Sequence, residues 1–193
     1  AAIESTAAPY QQKGVVANFQ CEKGHGSIAR QWFREDGILA WLPLPDNRIS
    51  IVFSTWNEQA DALCALQPDV LAETVALAGG RALGKLTCIT PAAAFPLRLL
   101  HVHEVVRPRL ALIGDAAHNV HPLAGQGVNL GFEDARDLSS VLLGAQGRDP
   151  GDYLLLRRYE RLRREDVYAM QGVTHALQKL FNNANPVLKP LRN

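Results

Sequence analysis

The sequence predicts a mixed α/β (α+β) fold: an antiparallel sheet, then a strand, a loop and a helix, and finally a long C-terminal helix. Three observations favour this fold class. Short stretches of alternating apolar residues, separated by turn residues, occupy positions 15–55. A continuous apolar run at 109–113 leads into a glycine-rich loop. Apolar residues then recur every three or four positions over 152–181, which is the period of an α-helix.

The N-terminal sheet is predicted to contain four strands, over residues 15–21, 28–34, 38–42 and 48–55. Asp36-Gly37 is a hairpin signal between the second and third strands. In the fourth strand Ile49, Ile51 and Phe53 alternate with polar residues, which is typical of a strand with one buried face. We therefore expect an antiparallel meander with one covered face.

Two helices are predicted next, over residues 57–66 and 69–78, the second following Pro68 and ending at Gly79-Gly80. Residues 86–105 are expected to form one extended stretch. Because this stretch contains two prolines, it is predicted to be a bent or edge strand.

The C-terminal part begins with residues 109–113, whose apolar character predicts a strand buried on both faces. A helix is predicted from 127 to 143, with a packing stripe of Val128, Gly131, Phe132, Ala135, Leu138 and Leu142. The last helix, 152–181, should bury its apolar face and leave the charges of 157–165 on a solvated face. We expect two domains, residues 1–106 and 107–193.

Composition excludes several functions. The net charge is +1 over 193 residues, which argues against a surface built to hold nucleic acid. No apolar run approaches the roughly 20 residues that span a bilayer, and the first residues do not resemble a secretion signal. A cytoplasmic location is expected, with contact at the inner face of a membrane left open. The histidine pairs His101/His103 and His118/His121 lack neighbouring ligands at metal-site spacing, so no metal site is predicted.

Residues 113–129 carry the chemistry. A strand that ends at Asp115 would place a carboxylate at the edge where open α/β sheets bind ligands, and a carboxylate accepts hydrogen bonds from a polyol chain. Gly125 and Gly127 allow close approach of the backbone to a flat ligand. The N–H groups and dipole at the start of the following helix suit an acceptor that gathers negative charge, as the pyrimidine side of a reduced flavin does.

Three motifs in this region identify a resemblance: GDAAH at 114–118, P-x-x-G-Q-G-x-N at 122–129 and G-x-x-D-A at 131–135. Together they resemble the second FAD-binding motif of the para-hydroxybenzoate-hydroxylase-like flavoprotein monooxygenases. The amino-acid sequence of these motifs is most similar to that of the hydroxylases of ubiquinone biosynthesis. Further stretches resemble the same group, at residues 10–14, 34–45, 49–56 and 91–97.

The resemblance implies a set of cofactor-binding residues: Gly114, Asp115, Pro122, Ala124, Gly125, Gln126, Gly127, Val128 and Asn129. Asp115 would bond the ribityl chain, and Pro122 would lie beside the isoalloxazine. The backbone of 125–128, with Asn129, would bind the pyrimidine side of the ring. His118 and His121 are interpreted as residues that shape the loop, and no catalytic side chain is assigned.

The activity implied is that of an FAD-dependent monooxygenase that hydroxylates a polyprenylated phenol, with NAD(P)H or another reductant as electron donor. The sheet would form the substrate domain. Its aromatic residues would line an apolar pocket or belong to the core: Trp32, Phe33, Trp41, Phe53 and Phe95. A related flavoprotein reductase, a halogenase and a flavin-free binding domain are the alternatives. The substrate would be a phenol or quinone precursor, and peripheral membrane contact, a homo-oligomer and a biosynthetic complex are left open as partners.

The chain departs from the family in one respect: it has no G-x-G-x-x-G phosphate fingerprint, since Gly24-His25-Gly26 lacks the third glycine. It therefore resembles the C-terminal portion of the family. Without a pyrophosphate cradle, we expect this polypeptide alone to bind FAD weakly or not at all and to be inactive by itself.

Overall fold

The computed structural model describes residues 3–120, 125, 127–145 and 147–181. Contacts between residues group the chain into two compact units. One unit comprises the N-terminal residues up to Tyr10 together with Arg98–Leu180, and the other contains Gln11–Leu97. These units are defined by contacts alone, so they do not test the expected domains 1–106 and 107–193, which separate a substrate domain from part of a cofactor domain. The division into those two domains therefore stays a prediction.

The four predicted strands are present as β1 (Ser5–Cys21), β2 (Arg30–Arg34), β3 (Gly37–Leu44) and β4 (Arg48–Trp56). β1 begins at Ser5, well before the predicted start at residue 15. Their order is β2-β3-β4-β1, with antiparallel pairing throughout. The expectation of a simple meander is wrong for β1, which pairs with β4. Residues 22–29 form a long connection between β1 and β2 and carry no tight hairpin turn, so β1 can occupy the open edge of β4. Arg34 pairs with Gly37, so the hairpin turn is Glu35-Asp36.

One face of this sheet is covered by α1 (Asn57–Cys64) and α2 (Pro68–Ala78), close to the predicted helix bounds. Ile49, Ile51 and Phe53 are buried, as their alternation predicted. Of the five aromatic residues, Trp41 and Phe53 are fully buried and Trp32 packs edge-on against Trp41. Phe33 and Phe95 are exposed. The five therefore do not line a common pocket, and the two buried ones belong to the core.

The predicted extended stretch 86–105 is divided in two. β5 (Leu86–Cys88) pairs with β1, and β6 (Ala93–Val102) pairs with the short strand β9 (His118–Asn119). Pro91 lies in the break between β5 and β6, where its missing N–H disrupts no ladder. In the complete seven-stranded sheet β6 lies between β1 and β9.

The expectation of a strand at 109–113 buried on both faces is wrong. β7 (Val106–Arg107) and β8 (Leu110–Ala111) form a separate two-stranded sheet. Leu110 and Ala111 are half-buried, and Ile113 is 41% exposed. A strand buried on both faces needs a layer on each side; within the described ranges β8 pairs with β7 alone.

The two C-terminal helices are confirmed, as α3 (Gly127–Leu143) and α4 (Tyr153–Phe181). Asp152 caps α4, because its Oδ1 accepts a hydrogen bond from the Leu155 amide at 2.9 Å. In the part of the chain that the structure describes, no helix is both long and apolar enough to cross a membrane.

The packing faces of both helices differ from the predicted ones. α3 buries Leu130 and Asp134, whereas Val128 and Phe132 are 64% and 69% exposed. The charged segment 157–165 is only partly solvated, since α4 buries two of its charged side chains, Glu160 and Arg163. The reason is the same for both helices: their contact contains an ionic network in addition to apolar side chains. The apolar period alone therefore misassigned the buried face.

Candidate functional site

The predicted ribityl-binding pair lies on a 3₁₀ turn, Gly114–Ala116. The expectation that a strand ends at Asp115 is wrong, because β8 ends at Ala111. Gly114 has φ +57°, the left-handed region that favours glycine, and its carbonyl accepts a hydrogen bond from the Ala117 amide at 2.9 Å. Asp115 projects from the middle of this turn and is exposed. Among the described residues its carboxylate has no hydrogen-bond or ion-pair partner. The turn thus presents a carboxylate whose acceptor sites are available to a ligand.

A second carboxylate, that of Asp134 on α3, lies behind the turn and is fully buried. Its Oδ2 is 2.8 Å from the Gly114 amide nitrogen and 2.8 Å from His118 Nε2. Its Oδ1 accepts a hydrogen bond from Arg163 Nε at 2.8 Å. Burial alone would raise the pKa of Asp134, but hydrogen bonds from His118, Arg163 and the Gly114 amide lower it below its ordinary value. An ionised carboxylate only accepts hydrogen bonds, so His118 Nε2 is the donor.

Arg163 anchors this network from α4, with a side chain that is 3% exposed. Its Nη2 lies 3.0 Å from Glu133 Oε2, and its Nη1 lies 3.1 Å from Asp166 Oδ2. Burial lowers the pKa of Arg163, but the hydrogen bonds and charges of Asp134 and Glu133 raise it more, so that the pKa lies above its ordinary value. The guanidinium is therefore a permanent charge that joins α4 to α3.

The residues before the turn are also attached to α4. The hydroxyl of Tyr159, a fully buried side chain, donates a hydrogen bond to the Leu112 carbonyl at 3.0 Å. Burial raises the pKa of Tyr159, so its hydroxyl stays protonated and able to donate. The segment that leads into Gly114 is thus also attached to α4.

Glycines permit the close contact between the turn and α3. A Cβ atom added to Gly131 would lie 3.4 Å from the Gly114 Cα, so the two backbones almost touch. Gly125 has φ +60°, and a Cβ there would meet no atom of the described residues within 4 Å. The first amides of α3, from Gly127, have no carbonyl partner within the helix and lie at its positive end.

The structure brings part of the predicted site together. Gly114, Asp115, Gly125, Gly127, Val128 and Asn129 are described, and they lie on the turn, the start of α3 and the segment just before it. Pro122, Ala124 and Gln126 lie outside the described residues, as does His121. The cofactor contacts of all nine residues stay predictions.

Sequence reasoning missed the buried network, although signals for it were present. Asp134 stands four residues after Leu130 and four before Leu138, so helical periodicity places it on the inner face of α3. Arg163 stands in the same relation to Tyr159 and Val167, both of which are buried. A charged residue at an inward helical position indicates a buried ionic partner.

These residues fit the riboflavin end of FAD. The exposed Asp115 carboxylate offers acceptors for ribityl hydroxyls, and the amides at the start of α3 offer donors for the pyrimidine edge. The donor and acceptor types thus agree with the cofactor that the sequence motif implies.

Comparison with known proteins identifies the family. The sequence profile of the family described as FAD binding domain matches residues 6–173. The 3-demethoxyubiquinol 3-hydroxylase of Escherichia coli (strain K12) is 39% identical over 188 residues, covering 95% of this chain and 47% of that protein. The human ubiquinone biosynthesis monooxygenase COQ6, mitochondrial, is 33% identical over 226 residues, with coverages of 98% and 48%. The chain spans about half the length of the curated relatives it matches.

Solved structures share the fold. Pseudomonas aeruginosa PqsL in complex with 2-aminobenzoylacetate superposes with a TM-score of 0.76 at 23% identity, covering 99% of this chain and 54% of that one. Klebsiella pneumoniae HpxO complexed with FAD and uric acid gives a TM-score of 0.72 at 19% identity, with coverages of 98% and 49%. The mixed α/β fold predicted from the sequence is confirmed, as is the resemblance drawn from residues 114–135. The chain belongs to the FAD-binding-domain family of flavoproteins.

Proposed function

We propose that this chain supplies the riboflavin-binding side of an FAD-dependent monooxygenase that hydroxylates a polyprenylated phenol in ubiquinone biosynthesis. The observation that carries the proposal is the exposed Asp115 carboxylate, which has no partner among the described residues and lies on a turn fixed from behind by buried Asp134. The names of the relatives support the reaction class, because two of them are a ubiquinol hydroxylase and a ubiquinone biosynthesis monooxygenase.

In this proposal Asp115 accepts hydrogen bonds from the ribityl hydroxyls and so fixes the rotation of the flavin about its long axis. The amides of Gly127 and Val128, at the positive end of α3, stabilise negative charge on the pyrimidine side of the ring. Asn129 lies in the same helical turn, and the sequence motif implies that it also contacts that edge. When bound and reduced by NAD(P)H or another donor, FAD supplies the oxygen chemistry, and the protein supplies orientation and electrostatics.

The proposed substrate is a phenol that carries an apolar polyprenyl chain. Such a substrate is found at membranes, and the exposed Arg158 and Arg161 on α4 would suit contact with an anionic lipid surface. We extend the proposal to this peripheral contact and to assembly with other enzymes or with further copies of the chain.

Turnover by the full-length protein tests the reaction class. The purified protein, supplied with FAD, NAD(P)H and a prenylated phenol, should take up oxygen and form hydroxylated product in equal amounts. Consumption of NAD(P)H without a hydroxylated product would indicate a reductase, and a halide requirement with a halogenated product would indicate a halogenase. A full-length protein without a flavin absorption band would be a flavin-free binding domain.

Titration tests the site in this chain itself. FAD fluorescence should change only at chain concentrations well above about 1 μM, because no phosphate-binding fingerprint occurs in the sequence. Asp115→Ala should weaken that binding further. Sub-micromolar affinity of the wild-type chain would contradict the expectation that it binds FAD weakly or not at all. Equal affinity of wild type and Asp115→Ala would contradict the assignment of Asp115.

A further inference from the structure

Both ends of the turn that carries Asp115 are attached to the same atom. The Gly114 amide and His118 Nε2 each approach Asp134 Oδ2 to 2.8 Å, one from the first residue of the turn and the other from beyond its last. The chain from 114 to 118 is therefore closed into a loop by a single oxygen. Asp115 lies within that loop and points outward, with no partner of its own among the described residues.

We infer that His118 is a positioning residue for Asp115, and that through it the protein distinguishes flavins with a ribityl chain from flavins without one. The inference rests on the proposed function, because it takes Asp115 as the ribityl acceptor. His118 is 5% exposed, and its Nε2 proton is already donated to Asp134. It acts by holding the far end of the turn.

The inference requires that Asp134 keep a fixed orientation, and Arg163 provides this. The guanidinium Nε occupies Oδ1, which leaves Oδ2 directed at the turn. A carboxylate can accept donors at both oxygens, whereas an amide at this position would turn an N–H toward Arg163 or toward the Gly114 amide. Arg163 on α4 therefore orients Asp134, and Asp134 in turn holds both ends of the turn.

The consequence is that the turn carrying Asp115 is preorganised for ligand binding. Gly114 is in the left-handed region, and among the described residues no side chain restrains Asp115. Without the His118 side chain, the far end of the turn would be held only by the backbone pairing of β9 with β6, and its direct attachment to Asp134 would be lost. Ligand binding would then have to order the turn, and this ordering reduces affinity. The loss should affect ligands that reach Asp115 and spare ligands that contact only the start of α3.

Riboflavin and lumiflavin distinguish these two groups, because they share the isoalloxazine and differ in the ribityl chain. We define the selectivity ratio as the lumiflavin Kd divided by the riboflavin Kd, measured by flavin fluorescence with the full chain. The ratio should be about ten or more for wild type and approach one for Asp115→Ala. His118→Ala should lower it by about tenfold, the effect of one hydrogen bond to a charged group. Lumiflavin affinity should change by less than about twofold.

Matched variants separate positioning from general damage. In His118→Gln the side-chain Nε2 can reach Asp134 as the imidazole does, so the selectivity ratio should be restored. His118→Asn is equally polar but one methylene shorter, so its ratio should stay low; this pair keeps the test valid if the alanine variant does not fold. His103→Ala removes an exposed histidine and should leave the ratio unchanged.

Each outcome has one meaning. A low ratio in His118→Asn with recovery in His118→Gln supports the inference. A wild-type ratio in both variants, with riboflavin still bound through Asp115, overturns the positioning role and leaves the proposed flavin site intact. If wild type binds both flavins without preferring riboflavin, then Asp115 is not the ribityl acceptor. In that case the proposed function fails in this chain, and the inference fails with it.

Discussion

Replacement of Arg163 by methionine should destabilise the chain far more than the same change at a nearby exposed arginine. Arg163→Met keeps an unbranched apolar stem and removes the guanidinium, which is 3% exposed. The principal loss is the 2.8 Å hydrogen bond to Asp134, a carboxylate with no solvent access to compensate it. Removal of one partner from a buried ion pair costs about 3–5 kcal/mol.

Two features place the expected value near the lower end of that range. Asp134 keeps its bonds to Gly114 and His118, so its charge is only partly uncompensated. The other carboxylates on Arg163, Glu133 and Asp166, are 43% and 65% exposed and become solvated when the guanidinium leaves. We therefore expect a loss of about 3 kcal/mol in the free energy of unfolding.

Arg161→Met is the matched control, because Arg161 is exposed on the same helix and forms no ion pair with the described residues. Its effect should stay within about 0.5 kcal/mol. Urea unfolding followed by far-ultraviolet circular dichroism gives both values from the midpoint and the common slope. If the two variants unfold within about 0.5 kcal/mol of each other, the Arg163–Asp134 pair does not hold α4 to α3, and the reasoning is refuted.

Three further predictions concern pH, packing and the turn. The pKa of Asp134 is lower in the folded chain than its ordinary value of 3.8, so its contribution to stability is present above that pH and is lost as pH falls through the folded value. Below about pH 4, the urea midpoint should therefore fall more steeply with decreasing pH for wild type than for Asp134→Asn. The control variant Asp115→Asn, at an exposed position, should follow wild type. If the midpoints of Asp134→Asn and wild type fell in parallel, Asp134 would not contribute to the pH dependence of stability. Gly79→Ala should lower the free energy of unfolding by about 1–3 kcal/mol, because its Cβ would lie 2.2 Å from the buried Trp41 ring. The control Gly24→Ala should be nearly neutral, because its Cβ would meet no described atom within 4 Å. Equal thermal midpoints for the two variants would contradict the close contact of Gly79 with Trp41. Tyr159→Phe should cost about 1 kcal/mol by leaving the Leu112 carbonyl without its donor, and an unchanged urea midpoint would show that this bond contributes nothing.

Local signals account for what the sequence predicted well. Pro68 and Gly79 bound α2, and Asp152 caps α4, so these helix bounds depend on neighbouring residues only. The alternation of Ile49, Ile51 and Phe53 reports a single covered face directly. The start of α3 at Gly127 was located because the glycines before it favour close approach of the backbone rather than a continued helix.

The errors arose where the answer depends on distant residues. The apolar run 109–113 fits a strand buried on both faces, but burial depends on which layers cover it, and that information is not local. Val128 and Phe132 satisfied the apolar period of α3, yet the helix turns Asp134 inward because Arg163, 29 residues later, supplies a buried counter-charge. Periodicity of apolar residues cannot reveal an ionic contact between two helices.

The central claim, that the Asp115 turn and the start of α3 together hold the riboflavin end of FAD, is tested most directly by a nuclear magnetic resonance titration of the isotopically labelled chain. With riboflavin, the amides of Gly114–Ala116 and of residues 127–129 should shift together, with one affinity. Lumiflavin should shift 127–129 and leave the turn unchanged. Shifts confined to the Gln11–Leu97 unit, or shifts at α3 without any at Asp115 when riboflavin is bound, would contradict the account.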